Sequence, residues 1–267
     1  MHLAACAALA VCIAAGTLGF GCSASAQVVC GGTQRVTTRI SLPAAFNGSL
    51  PDVSHVWGRA NVAPTADGLR VAFAQGSVDP GNTAAPTGGA GFEQRAVAYA
   101  EARCLHYEVR FAPGFDFAKG GKLPGLFGGE APRGCLPKEL SLGFSARLMW
   151  RAEGAGELYL YAPGRSARCG DSIGRGAWRF VPGSWTSIDQ EVAVNALGQA
   201  NGRIRIWVDG RKVIERTDLI LRDEASIGVD GLLFATFFGG NDPSWASPKA
   251  QSAEFRNFEI GNGPGSP

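Results

Sequence analysis

The sequence predicts an all-β fold, a two-sheet antiparallel sandwich or β-jelly roll. Three observations carry this. Apolar and polar residues alternate with period two in run after run, the mark of strands with one buried face. Glycine and proline, 38 and 15 in 267 residues, interrupt nearly every stretch and leave no room for long helices or coiled coils. Asp209-Gly210 sits between two such runs and is a strong hairpin-turn signal. With 45% hydrophobic residues the chain is too apolar for disorder. Its length suits one domain of this class.

The elements follow in order. Residues 3–21 are small and apolar, and Ala24-Ser25-Ala26 follows as an A-x-A site. This reads as a secretory signal over 1–26, leaving a single domain over 27–267 and a secreted protein. A membrane anchor is the alternative, but nothing charged follows the run to stop transfer. Cleavage leaves Cys30, Cys104, Cys135 and Cys169. An even count in an exported chain implies two disulfides, with three connectivities open. We prefer Cys30–Cys104 with Cys135–Cys169, because the second would staple loops flanking the candidate active centre. Their spacings are too wide for a zinc knuckle.

Residues 27–60 mix polar alternation with turns, and 76–91 read as a long surface loop. Strand patterns then recur at 105–111, 142–151, 157–161, 190–194, 203–208, 212–215, 231–238 and 253–260. The tail from 261 to 267 reads as frayed. A net charge of +2 without a basic stripe excludes counterion-driven nucleic-acid binding. The Gly-rich loops follow no phosphate-binding pattern.

Two runs carry chemistry. Residues two apart on a strand share a face, so Ser145 points with Arg147, and Tyr159 with Tyr161. Phe144, Ala146, Leu148 and Trp150 face the core. A turn at Gly154-Ala155-Gly156 would pair the two strands and place a serine, a guanidinium and two phenols on one polar face. Upstream, Lys119-Gly-Gly-Lys122-Leu-Pro-Gly reads as a flexible loop bringing two ammonium groups over it. Cations neutralise a carboxylate, and arginine binds it bidentately. A phenol beside cations is expected to have a lowered pKa and to exchange protons. These are the parts for β-elimination on a polyuronate. Hydrolases need paired carboxylates, and this face offers only Glu157. The chemistry requires no cofactor and no metal. A carbohydrate-binding jelly roll displaying Tyr and Arg is the non-catalytic alternative.

KGGKLPGLFGG (119–129), FSARLMW (144–150), ELYLYAP (157–163), NGRIRIWVDG (201–210) and SIGVDGLLFATFFGGNDPSWA (226–246) resemble polysaccharide lyase family 14. The resemblance covers roughly residues 105–260. It implies a jelly roll with a concave substrate cleft, and a lyase acting on alginate or glucuronan. The family pattern, a Lys in K-L-P-G, then S-x-R, then Y-x-Y, falls here on Lys122, Ser145, Arg147, Tyr159 and Tyr161. It implies that Arg147 and Lys122 neutralise the carboxylate and that Lys122 assists proton transfer. Tyr159 or Tyr161 would act as base and acid, and Ser145 would orient substrate or a tyrosine. Lys119, Trp207, Thr236 and Trp245 are substrate-binding candidates, Trp207 because it alternates away from Ile206 and Val208. His106 lies on the polar face of its strand and is expected to be solvated or internally satisfied. His55 has no partner in this reading. The expected partner is an anionic polysaccharide, bound by a monomer free of the membrane.

Overall fold

The computed structural model describes Cys30 and residues 36–95, 98–135, 142–240 and 242–264. The signal segment lies outside the described residues. The chain forms β1 (Val36–Arg39), α1 (Leu42–Asn47), β2 (Val53–Trp57), β3 (Val62–Pro64), β4 (Gly68–Phe73), β5 (Ala90–Arg95), β6 (Ala102–Phe111) and β7 (Gly120–Gly129). It continues with β8 (Gly143–Arg151), β9 (Gly156–Tyr161), β10 (Asp171–Ile173), β11 (Trp185–Ala193), β12 (Gly202–Val208), β13 (Arg211–Leu219), β14 (Gly231–Phe238) and β15 (Gln251–Asn262).

All pairings between these strands are antiparallel and build two sheets. The back sheet has the order β13-β12-β11-β6-β15-β4-β3, with β1 also on β15. The cleft sheet has the order β10-β9-β8-β7-β14-β5-β2. This is the jelly roll that the alternating runs predict. The inner faces of the sheets meet in one core, where Trp150 packs edge-on against Phe73, Phe111 and Phe238 at 5.3–5.9 Å. Burying several rings of this size supplies much of the drive to fold, about 1.5–3 kcal/mol for each large apolar side chain.

Three expectations change. The short helix α1 was not legible in the 27–60 segment. Ser41 caps it through Ala44 N–H, Gly48 ends it at φ 87°, and Phe46 stacks its edge on Phe92 and Phe234. The tail is not frayed from residue 261, because β15 runs to Asn262 and Gly261 pairs with Cys104. Finally, although Lys119 lies in a turn, 120–125 is not a loop. It opens β7, an interior strand paired to β8 and β14.

Proline inside an interior strand needs compensation, because it cannot donate to the ladder. Here the β7–β8 register shifts between Leu123 and Gly125, around Pro124. Gln190 crosses from the back sheet, accepting from Leu126 N–H at 2.8 Å and donating to the Ala146 carbonyl at 2.6 Å. The Tyr107 hydroxyl donates to the Pro124 carbonyl. Such a bulge re-aims the side chains on either side of it. Lys122 then stands opposite Met149, and Gly125 opposite Arg147.

Candidate active site

The outer face of the cleft sheet floors a cleft of about 1050 Å³. β7, β8 and β9 place three cross-strand neighbours on it: Lys122 beside Met149, Arg147 beside Tyr159, and Ser145 beside Tyr161. The pairing inferred from the two alternating runs is therefore the observed one. Lys122, Arg147, Tyr159 and Tyr161 all line the cleft.

Lys122 is buried, and its Nζ lies 3.1 Å from Met149 Sδ and 4.3 Å above the Tyr159 ring. No carboxylate pairs with it among the described residues. Burial, aided by the charges of Arg147 and Arg151, holds its ammonium well below the ordinary lysine range. Arg147 is also buried, and its Nε has no hydrogen-bond partner among the described residues. Burial lowers its pKa too, though arginine keeps its charge.

The two phenol rings stand edge to face, 5.5 Å apart. The Tyr159 hydroxyl and the Gly170 backbone both act on the Tyr161 hydroxyl. Its pKa is not lowered by the neighbouring cations, as the sequence suggested. Burial outweighs Arg147 and pushes it up to about 12. Gly170 runs flat over both rings, so a Cβ there would stand 2.8 Å from each.

Ser145 is fully buried beneath the cleft, and its Oγ donates to the Pro132 carbonyl at 2.6 Å. It touches neither tyrosine oxygen in the contacts described. Glu157, on the same strand face as the tyrosines, is tied down. Arg151 Nε lies 2.7 Å from one oxygen, and Ser172 Oγ (2.6 Å) and Arg175 Nε (2.7 Å) reach the other. Burial opposes its charge, but these bonds keep its pKa below the usual carboxylate range.

At one end, Trp245 lines the cleft, with Arg151 and Lys119 against its ring at 5.7 and 5.9 Å. Lys119 Nζ also donates to Ser244 Oγ at 2.6 Å. Two candidates fall elsewhere. Trp207 is on β12 of the back sheet, beside the Cys30–Cys104 pair; its alternation was right, but the face belongs to the other sheet. Thr236 is fully buried with its Oγ1 unpartnered. The cleft receives Leu233, Ala235 and Phe237, its odd-numbered neighbours, instead. His106 is buried in the back sheet; its Nδ1 meets Asp189 Oδ1 at 2.9 Å, while its Nε2 has no partner among the described residues.

Both preferred disulfides are present, Cys30–Cys104 and Cys135–Cys169. Cys135 and Cys169 themselves line the cleft. Sequence reasoning missed Met149 and Arg151, which share the strand parity of Ser145 and Arg147 and were findable. It also missed Asp79, Glu93, Trp57, His55 and Arg133, which arrive from distant segments. Among the described residues no group of three His, Cys, Asp or Glu side chains converges to hold a metal ion. No helix among them is long and apolar enough to cross a membrane.

The sequence pattern of polysaccharide lyase family 14 matches residues 62–258. The chain superposes on the PL-14 alginate lyase from Aplysia kurodai with a TM-score of 0.72 and 32% identity, covering 85% of this chain and 98% of that one. Alginate lyase vAL-1 from Chlorella virus gives 0.72 at 23% identity, covering 85% and 100%. An endo-β-1,4-glucuronan lyase from the fungus Trichoderma reesei shares the fold at 0.54 and 11% identity, covering 80% and 92%. No protein among curated sequences matches. The extent of the family pattern and the likeness to the Aplysia enzyme place this chain in polysaccharide lyase family 14.

Proposed function

We propose that this lyase is exported and cleaves an acidic polyuronate by β-elimination, with alginate the foremost substrate and glucuronan the alternative. The observation that carries the reading is one cleft that brings a buried, unpaired amine and a buried guanidinium against two phenols. Alginate comes first because the 32% identical relative is an alginate lyase. Export fits two disulfides, which persist in oxidising compartments.

Arg147 takes the uronate carboxylate and draws its charge, which acidifies the neighbouring C5–H. Lys122, whose ammonium form is disfavoured by burial beside Arg147 and Arg151, accepts that proton as the free amine. The C5–H electrons form the C4=C5 double bond, and the C4–O bond breaks. Tyr159, the more exposed phenol, donates its proton to the departing oxygen. Tyr161 stands behind it, held protonated by burial. An amine whose ammonium form is disfavoured by burial is suited to act as a base. This reverses the assignment of a tyrosine base that the sequence favoured. Glu157 serves neither role, since both its oxygens are occupied.

The test offers the mature chain polymannuronate, polyguluronate, glucuronan and pectate and follows the ultraviolet absorbance of unsaturated uronate ends. A rise on one polymer, lost in Lys122→Ala, supports the reading and names the substrate. A flat trace on all four from a folded sample contradicts it.

A further inference from the structure

Arg133 has no part in the chemistry above, yet three contacts fix the loop that carries it. Its Nη1 donates to Glu93. One residue earlier, the Pro132 carbonyl accepts from buried Ser145. Two residues later, Cys135 is bonded to Cys169. Glu93 is a carboxylate on the wall of the cleft, only 4% exposed. Its second oxygen lies 3.3 Å from His55 Nδ1. His55 reaches it from the bulge in β2 between Ser54 and Trp57. The Arg133 side chain remains 42% exposed to the cleft. One of its five N–H donors is described as engaged by Glu93, and the fork is suited to a further carboxylate.

We propose that Arg133 is a second carboxylate-binding position, taking the carboxylate of the uronate next to the one that reacts. Glu93, His55 and Ser145 are its positioning residues. This rests on the polyuronate reading. A polyuronate carries one carboxylate per sugar, and Arg147 accounts for only one of them. Arg133 is near enough to Arg147 for its charge to disfavour Arg147's own. Two guanidiniums brought together in one cleft are relieved by more negative charge than a single carboxylate supplies. Glu93, which would otherwise repel the polymer, lies between Arg133 and His55 and acts to aim Arg133.

The experiment measures initial rates of Arg133→Gln on the polymer the wild type cleaves, then on its oligomers of decreasing length. The expected result is KM raised about tenfold, the scale of one charge-assisted contact, with kcat within about twofold. As oligomers shorten, wild-type kcat/KM converges on that of the variant. Ser145→Ala raises KM in the wild type and adds nothing once Arg133 is gone, because both act through one loop. If Arg133→Gln melts early because Glu93 is left unpaired, Arg133→Gln/Glu93→Gln removes both charges and carries the same test. An unchanged KM, or a loss confined to kcat, in a folded variant overturns the proposal. Wild-type inactivity on every polyuronate would count against the functional reading alone. Oligouronate binding by titration calorimetry would then decide, and equal affinity of wild type and variant would overturn the role of Arg133.

Discussion

The two sheets bury charge in opposite ways. In the back sheet most buried charges meet a counter-charge, although Arg103 donates to backbone carbonyls instead. Glu191 accepts from Arg203 at 2.6 Å and faces Arg205 at 3.4 Å. His106 Nδ1 meets Asp189, and the half-buried Glu108 meets Arg256. In the cleft sheet, Lys122 is buried against a thioether and an aromatic face, and Arg147 leaves its Nε unpartnered. Burying an unpaired cation is costly and shifts its pKa, so such groups mark a site awaiting an anion. Perturbed titration concentrates where chemistry is done. Glu157 shows that the difference is not simply one of sheet, since it sits in the cleft sheet and is paired at both oxygens like a back-sheet residue.

The largest effect that sharpens this contrast comes from Lys122→Ala. Loss of a general base lowers kcat by about 10²–10⁴-fold. The thermal melt should not fall, because no ion pair is broken; a collapsed melt would make the lysine structural. Next is Gly170→Val. Its side chain would press on both tyrosine rings, and misplacing the acid costs roughly 10²-fold in kcat/KM. Steady-state kinetics on a variant with a native circular dichroism spectrum reads this out.

The two disulfides give a smaller, paired comparison. They close separations of 74 and 34 residues, and removing either should lower unfolding free energy by about 3–5 kcal/mol on the chain-entropy account. Cys135→Ser/Cys169→Ser should also raise KM, because that bridge anchors the cleft wall. Cys30→Ser/Cys104→Ser should leave KM unchanged. Denaturant titration and kinetics on both double variants check this.

The smallest effect lies in the back sheet. Burial works against the charge of His106, but the hydrogen bond and charge of Asp189, with Glu108 and Glu259, raise its pKa above the ordinary value. Its stabilising contribution is therefore complete below about pH 6.5, the unfolded value. It is lost as pH rises through the folded value. The melting-temperature gap between wild type and His106→Gln should narrow over that window, with kcat/KM unaltered.

The legible parts of this molecule were local in sequence. Period two put Arg147 and Tyr159 on one face because both strands are regular and joined by a short turn. The K-L-P-G segment was misread because glycine and proline suggest a loop. The bonds that rescue Pro124 come from Gln190 and Tyr107, on other strands. The cleft walls were invisible for the same reason, since His55, Glu93 and Arg133 meet only through sheet order. Trp207 shows the limit of alternation, which gives a strand's face but not its sheet. The pKa directions depended on burial, which residue spacing does not reveal.

The proposed mechanism requires the unpaired amine of Lys122 to be neutral at working pH. Nitrogen-15 NMR of its side-chain Nζ across a pH titration, assigned by its loss in Lys122→Ala, tests this directly. A neutral-amine signal through the active range, with kcat/KM rising along the same titration, is the predicted result. An ammonium signal persisting to pH 10 in an active enzyme would contradict it.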